Sequence, residues 1–94
     1  MQIVFLPEAT TSLRWFHRYY STRFPAGKSN AMIRFQAMKD VLHRNPEIGR
    51  PMEGRDVRLY LLPKTPFCVI YRIRSHRIEI LSVYDQRNDP ELMP

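Results

Sequence analysis

Between Val57 and Asp85 the chain reads VRLYLLPKTPFCVIYRIRSHRIEILSVYD, and this stretch limits the possible folds more than any other. Val57, Leu59 and Leu61 alternate with Arg58, Tyr60 and Leu62. Phe67, Val69, Tyr71 and Ile73 then alternate with Cys68, Ile70, Arg72 and Arg74, and Ile78, Ile80 and Ser82 with Glu79, Leu81 and Val83. A period of two, rich in β-branched and aromatic residues, is the pattern of a half-buried strand. Pro63 and Pro66 bracket the first link and Ser75-His76 forms the second. Links this short join antiparallel neighbours, because a parallel pair needs a long crossover.

The segments before this stretch read as its cover. Gln2 to Leu6 is a short apolar run stopped at Pro7, which suits a first strand followed at once by a helix. From Glu8 onward Ala9, Leu13, Phe16, Tyr20 and Phe24 recur every three or four residues, with Trp15 and Tyr19 widening the stripe and Arg14, Arg18 and Arg23 on the other side. Pro25-Ala26-Gly27 breaks this helix, and Ser29 or Asn30 is placed to cap a second one carrying Ala31, Phe35, Met38 and Leu42. His43-Arg44-Asn45-Pro46 ends it, since proline pushes its predecessor out of the helical region. Pro46 to Asp56, with Gly49, Pro51 and Gly54, reads as a loop. The order strand, helix, helix, strand, strand, strand predicts an α+β layout with a helical hairpin on one face of an antiparallel sheet.

Ninety-four residues fit one domain spanning 1–94, with 86–94 expected as a poorly structured tail. Fifteen Lys and Arg against nine Asp and Glu give a formal net charge of +6, which favours an acidic partner, either protein or nucleic acid. The single cysteine, Cys68, cannot form an internal disulfide and is expected to pack inside a strand. No basic leader and no run approaching ~20 apolar residues is present, so the reading is a soluble, cytoplasmic chain with no membrane partner.

Strand alternation predicts two unlike sheet faces. If Leu59, Leu61, Phe67, Val69, Tyr71, Ile78 and Ile80 face the helices, then Arg58, Tyr60, Cys68, Ile70, Arg72, Glu79, Leu81 and Val83 lie opposite. Arginine forks match phosphate and carboxylate geometry, and apolar Ile70, Leu81 and Val83 beside them suggest a partner's footprint. The expected binding face is therefore Arg58, Tyr60, Ile70, Arg72, Leu81 and Val83, and Phe16, Phe35, Leu59, Val69 and Ile80 are expected to meet in the core. Catalytic signals are sparse. His17, His43 and His76 are scattered without ligand spacing, and there is no phosphate loop, dinucleotide fingerprint or nucleophile elbow, so neither a metal nor a cofactor is expected.

In order and spacing these segments resemble the RelE/ParE superfamily of small toxins from type II toxin-antitoxin modules. The residues that carry the resemblance are Ala9 and Leu13, then Phe35, Met38 and Leu42, then the Asn45-Pro46-Glu47-Ile48-Gly49-Arg50-Pro51 loop. Val57-Arg58-Leu59, Val69-Ile70-Tyr71-Arg72-Ile73, Ile78-Glu79-Ile80-Leu81-Ser82-Val83 and Asp85-Gln86-Arg87 complete it. The resemblance implies a cytoplasmic protein bound by an acidic antitoxin in a hetero-oligomer. It also implies one of two targets, because RelE-like members cleave messenger RNA on the ribosome and ParE-like members poison DNA gyrase.

The nuclease branch uses basic residues on the sheet plus a late tyrosine, without a metal. Its basic positions fall here on Arg58, on Tyr60 and, in the next strand, on Cys68. Arg87 lies near another, and Asn88 to Pro94 holds no tyrosine. A thiol cannot replace a delocalised cation against a developing phosphorane charge. The sequence therefore favours the ParE-like branch, a non-enzymatic toxin acting on gyrase. The alternatives are a ribosome-dependent endoribonuclease, with Arg58, Arg72, Tyr84 and Arg87 as its catalytic candidates, and a degenerate toxin that mainly binds its antitoxin.

Overall fold

The computed structural model describes residues 1–87. The elements are β1 (Gln2–Phe5), α1 (Ala9–Arg18), a π-helical turn (Tyr19–Arg23), a 3₁₀ turn (Pro25–Gly27), α2 (Lys28–Arg44), β2 (Arg50–Pro51), β3 (Arg58–Leu61), β4 (Phe67–Arg74) and β5 (Arg77–Asp85). The strands form one five-stranded sheet in the order β1-β5-β4-β3-β2, with the two helices packed against it.

The three expected strands form as read, β3 against β4 and β4 against β5, both antiparallel. Ser75 and His76 link β4 to β5 with φ of 53° and 60°, the left-handed pair that a two-residue hairpin demands. The first strand departs from the expected antiparallel pattern. It lies parallel to β5, with Gln2 opposite Arg77 and Phe5 opposite Ile80. The intervening helices, hairpin and strands serve as its long crossover.

The π-helical turn ends the first helix, where the Phe24 amide donates to the Tyr19 carbonyl at 2.9 Å. Lys28 begins α2 with Gly27 as the residue before it and no side-chain cap, contrary to the expected cap at Ser29 or Asn30. Asn30 turns outward instead: its Nδ2 donates to the Lys64 carbonyl at 3.2 Å, tying α2 to the β3–β4 turn. At the other end, Gln86 and Arg87 form a turn in which the Gln86 amide donates to the Pro66 carbonyl at 3.1 Å. The remainder of the expected tail, 88–94, lies outside the described residues.

The main core lies between helices and sheet, where Phe16, Tyr20, Ala31, Phe35, Met38 and Leu42 meet Phe67, Val69, Tyr71, Ile78, Ile80 and Val83. Phe16 sits at its aromatic centre, edge-on to Phe67 at 4.9 Å and tilted against Phe35 at 5.4 Å. Two expected placements are corrected here. Leu59 pairs with Ile70 and belongs to a second cluster on the other face, with Cys68 and Ile70. Val83 belongs to the main core because β5 carries a bulge: Ile70 pairs with Ser82 but Tyr71 with Ile80, so Leu81 has no cross-strand partner. One extra residue inverts the alternation beyond it, and strict period-two reading then assigns the wrong face.

Candidate partner-binding surface

The outer face of the sheet is partly covered. Arg50–Pro51, expected as loop, pairs with β3 as a fifth strand, and the Met52 amide donates to the Val57 carbonyl at 3.1 Å. A proline is tolerated there because β2 is an edge strand. The resulting hairpin brings Met52 and Val57 onto Leu59, Cys68 and Ile70, and Tyr84 packs on the same cluster from β5. Ile70, expected as an exposed contact, is therefore buried, while Leu61 at the margin remains 51% exposed.

The remaining predicted residues divide among three places. Arg58 pairs with Tyr71, which puts it on the helix side of β3, and its Nη1 donates to the Glu47 and Gly49 carbonyls, both at 2.9 Å. Tyr60 packs against the main core rather than facing outward. Val83 is buried, and its amide donates to the Ser12 hydroxyl at 3.0 Å, which closes part of the β5 edge beyond β1. Leu81 is half-buried at the bulge, and Tyr84 lies across from Cys68. The predicted face thus holds together only in part: Arg72, Ile70 and Tyr84 point outward, whereas Arg58, Tyr60 and Val83 do not.

Arg72 and Arg87 each belong to an ion pair that sequence reading missed. Arg72 Nε donates to Glu79 Oε1 at 2.6 Å and Arg77 Nε donates to Oε2 at 2.8 Å, so two guanidiniums hold one carboxylate that is only 4% exposed. The hydrogen bond from Arg72, then that from Arg77, keeps Glu79 below the usual carboxylate range. The signal lay in the alternation, which puts Arg72, Arg77 and Glu79 on one face of adjacent strands. At the other end Arg87 grips buried Asp85 through Nε at 3.0 Å and Nη2 at 2.8 Å, with its guanidinium 5.2 Å from the Tyr19 ring centre. The Arg87 hydrogen bond lowers Asp85, and the same bond raises Arg87. The Arg72 and Arg87 ends lie roughly 17 Å apart along the sheet at the ordinary rise of a strand residue.

Chemically, the surface is an apolar outer centre with arginines clustered at the hairpin end. A cleft of about 240 Å³ there is lined by Arg55, Asp56, Val57, Arg58, Arg72 and Ile73, among others. A second hollow of about 410 Å³ lies between α1 and β5, with Ser12, Trp15 and Tyr84 in its walls. Among the described residues, no three His, Cys, Asp or Glu side chains converge as metal ligands, and no helix is long and apolar enough to cross a membrane.

A helical hairpin on a five-stranded sheet with an arginine-rich end defines a small basic α+β protein. A sequence profile described as ParE toxin of type II toxin-antitoxin system, parDE, matches residues 3–90, and the chain belongs to that family. Its fold is similar to that of a solved chain from the chromosomal ParDE toxin-antitoxin system of P. aeruginosa. The two share 24% identity at a TM-score of 0.70, covering 90% of this chain and 95% of the other. No curated protein matches the sequence. Family membership implies an antitoxin partner.

Proposed function

We propose that this chain is a growth-inhibiting toxin that binds and poisons DNA gyrase and is neutralised by a cognate acidic antitoxin. The observation that carries this reading is the state of the outer sheet centre, where Leu59, Cys68 and Ile70 are buried under Met52 and Val57. A ribonuclease acting there needs guanidinium groups converging on a phosphate, each such donor contributing about 10²–10³ in rate. Here Cys68 occupies the central strand, Arg72 is engaged by Glu79 and Arg87 by Asp85 at the far end. Such a surface suits contact with a protein better than turnover of RNA.

A supercoiling assay with purified gyrase, run beside a ribosome-bound message cleavage assay, decides between the targets. Inhibited supercoiling with uncut message is the expected result. Rapid codon-dependent cutting with gyrase unaffected overturns the proposal in favour of the endoribonuclease, and inactivity in both assays favours a degenerate toxin that only binds antitoxin.

A further inference from the structure

The excess positive charge of this chain is confined to its helical layer. Residues 9–39, from the start of α1 into the second half of α2, contain six of the fifteen Lys and Arg and none of the nine Asp and Glu, so the rest of the chain balances nine cations against nine anions. The four ion pairs between described residues all use arginines from outside this segment. Within it Arg23 lies over the Trp15 ring, Arg34 Nε donates to Asn30 Oδ1 at 3.3 Å and Lys39 lies over the Phe35 ring. Arg14, Arg18 and Lys28 are exposed, and among the described residues their side chains have no ion pair or hydrogen bond. Their placement is unfavourable for the isolated chain. Arg14 and Arg18 are like charges one helical turn apart, and Lys28 opens α2, the end at which a helix dipole disfavours a cation.

We infer that the outer stripe of α1 docks on the phosphate backbone of duplex DNA. Thr10, Arg14, His17 and Arg18 recur at helical spacing, all exposed and opposite buried Ala9, Phe16 and Tyr20, and exposed Ser21 and Thr22 follow in the π-helical turn. Arg14 and Arg18 are about 6 Å apart along the helix axis, close enough to take neighbouring phosphates of one strand. Arginine and hydroxyl side chains are common donors to phosphate oxygens. The stripe holds no apolar residue, whereas the centre of a protein interface is apolar or aromatic. The apolar face of α1 is committed to the core, so the helix has none to insert into a membrane surface. Single strands need stacking platforms, and Trp15 and Tyr19 lie off the stripe beneath Arg23 and Arg87. The major groove of B-form DNA admits a helix and the narrow one of an RNA duplex does not. The stripe lies on the opposite side of the molecule from the outer sheet centre, and the inference does not depend on gyrase being the target.

The test is fluorescence anisotropy of a labelled DNA duplex of about 20 base pairs, titrated with the full chain at salt concentrations between about 50 and 200 mM. Binding should saturate and weaken with salt, and Arg14→Gln combined with Arg18→Gln should lower the slope of log Kd against log salt by about two. That variant should melt no lower than the wild type, because it removes a like-charge pair. Arg50→Gln combined with Arg55→Gln removes the same charge from the exposed hairpin of β2 and should leave the slope unchanged. No saturable binding, an equal loss in the two double variants, or binding of an RNA duplex or of polyglutamate as tight as that of DNA overturns the inference. Gyrase is absent from this assay, so a failure here and a failure to inhibit supercoiling are separate results.

Discussion

The amide of Gly49 donates to the Tyr71 hydroxyl at 2.8 Å, and that hydroxyl donates onward to the Pro46 carbonyl at 2.7 Å. A fully buried β4 side chain thereby fixes the loop that leaves α2, and Arg58 grips the same loop from β3. Burial pushes the Tyr71 phenol up, so it stays neutral and available as a donor.

Gly49 is close to this ring by necessity. A Cβ there would lie 2.6 Å from Tyr71 ring and hydroxyl atoms, and Tyr71 cannot retreat through the packed core. Gly49→Ala should therefore cost about 1–3 kcal/mol as overpacking. Tyr71→Phe should cost about 1–3 kcal/mol by leaving the Gly49 amide and Pro46 carbonyl unpaired. Thermal denaturation of each variant reads both effects, and wild-type melting for Gly49→Ala would disprove the contact.

Acid should destabilise the protein through Glu79 and Asp85. Both have folded-state values below their ordinary ones, mainly through Arg72 and Arg87 respectively. A depressed folded value means that the unfolded chain takes up protons first, so the stabilisation is full above the ordinary carboxylate range and is lost as pH falls below about 4. Urea midpoints measured from neutral pH downward should show this drop. Glu79→Gln and Asp85→Asn should each be less stable at pH 7 and should each show a shallower acid decline.

Phe35 joins α2 to both the sheet and α1, stacking on Phe5 at 6.0 Å and tilting against Phe16 at 5.4 Å. Phe35→Ala should cost about 3–5 kcal/mol, a large share of the stability of a domain this size. Equilibrium urea unfolding measures it.

The strands and helices were legible because their signals are local. Alternation placed β3, β4 and β5, and the spacing of Phe16, Tyr20, Phe35 and Met38 placed the buried helix faces. What escaped depends on long-range or single-residue geometry. The parallel seat of β1 is set by the chain path rather than by any residue within it, and the bulge at Leu81 adds one position that no composition marks. The candidate surface was legible in part. Arg72 was assigned outward correctly, but the alternation cannot reveal that Arg58 turns to loop carbonyls, or that Met52 and Val57 fold over Ile70.

The outer face of β3 offers a direct check on the outer layer. Leu59, 4% exposed, belongs to the second cluster, and its neighbour on the same face, Leu61, is largely open. Leu59→Asp should cost about 3–5 kcal/mol by burying an unpaired charge, whereas Leu61→Asp should stay within about 0.5 kcal/mol. Similar melting temperatures for the two variants would mean that the hairpin does not cover the sheet in solution.

The parallel seat of β1 also sets a schedule. The ribosome makes Gln2–Phe5 well before its partner Arg77–Ile80, so the first strand emerges with nowhere to dock and must wait for the helices and strands between them. Contacts this distant in sequence form late, after the local pairing of β3, β4 and β5. A chain lacking β5 is therefore missing both the neighbour of β1 and one wall of the main core, which makes such fragments unstable.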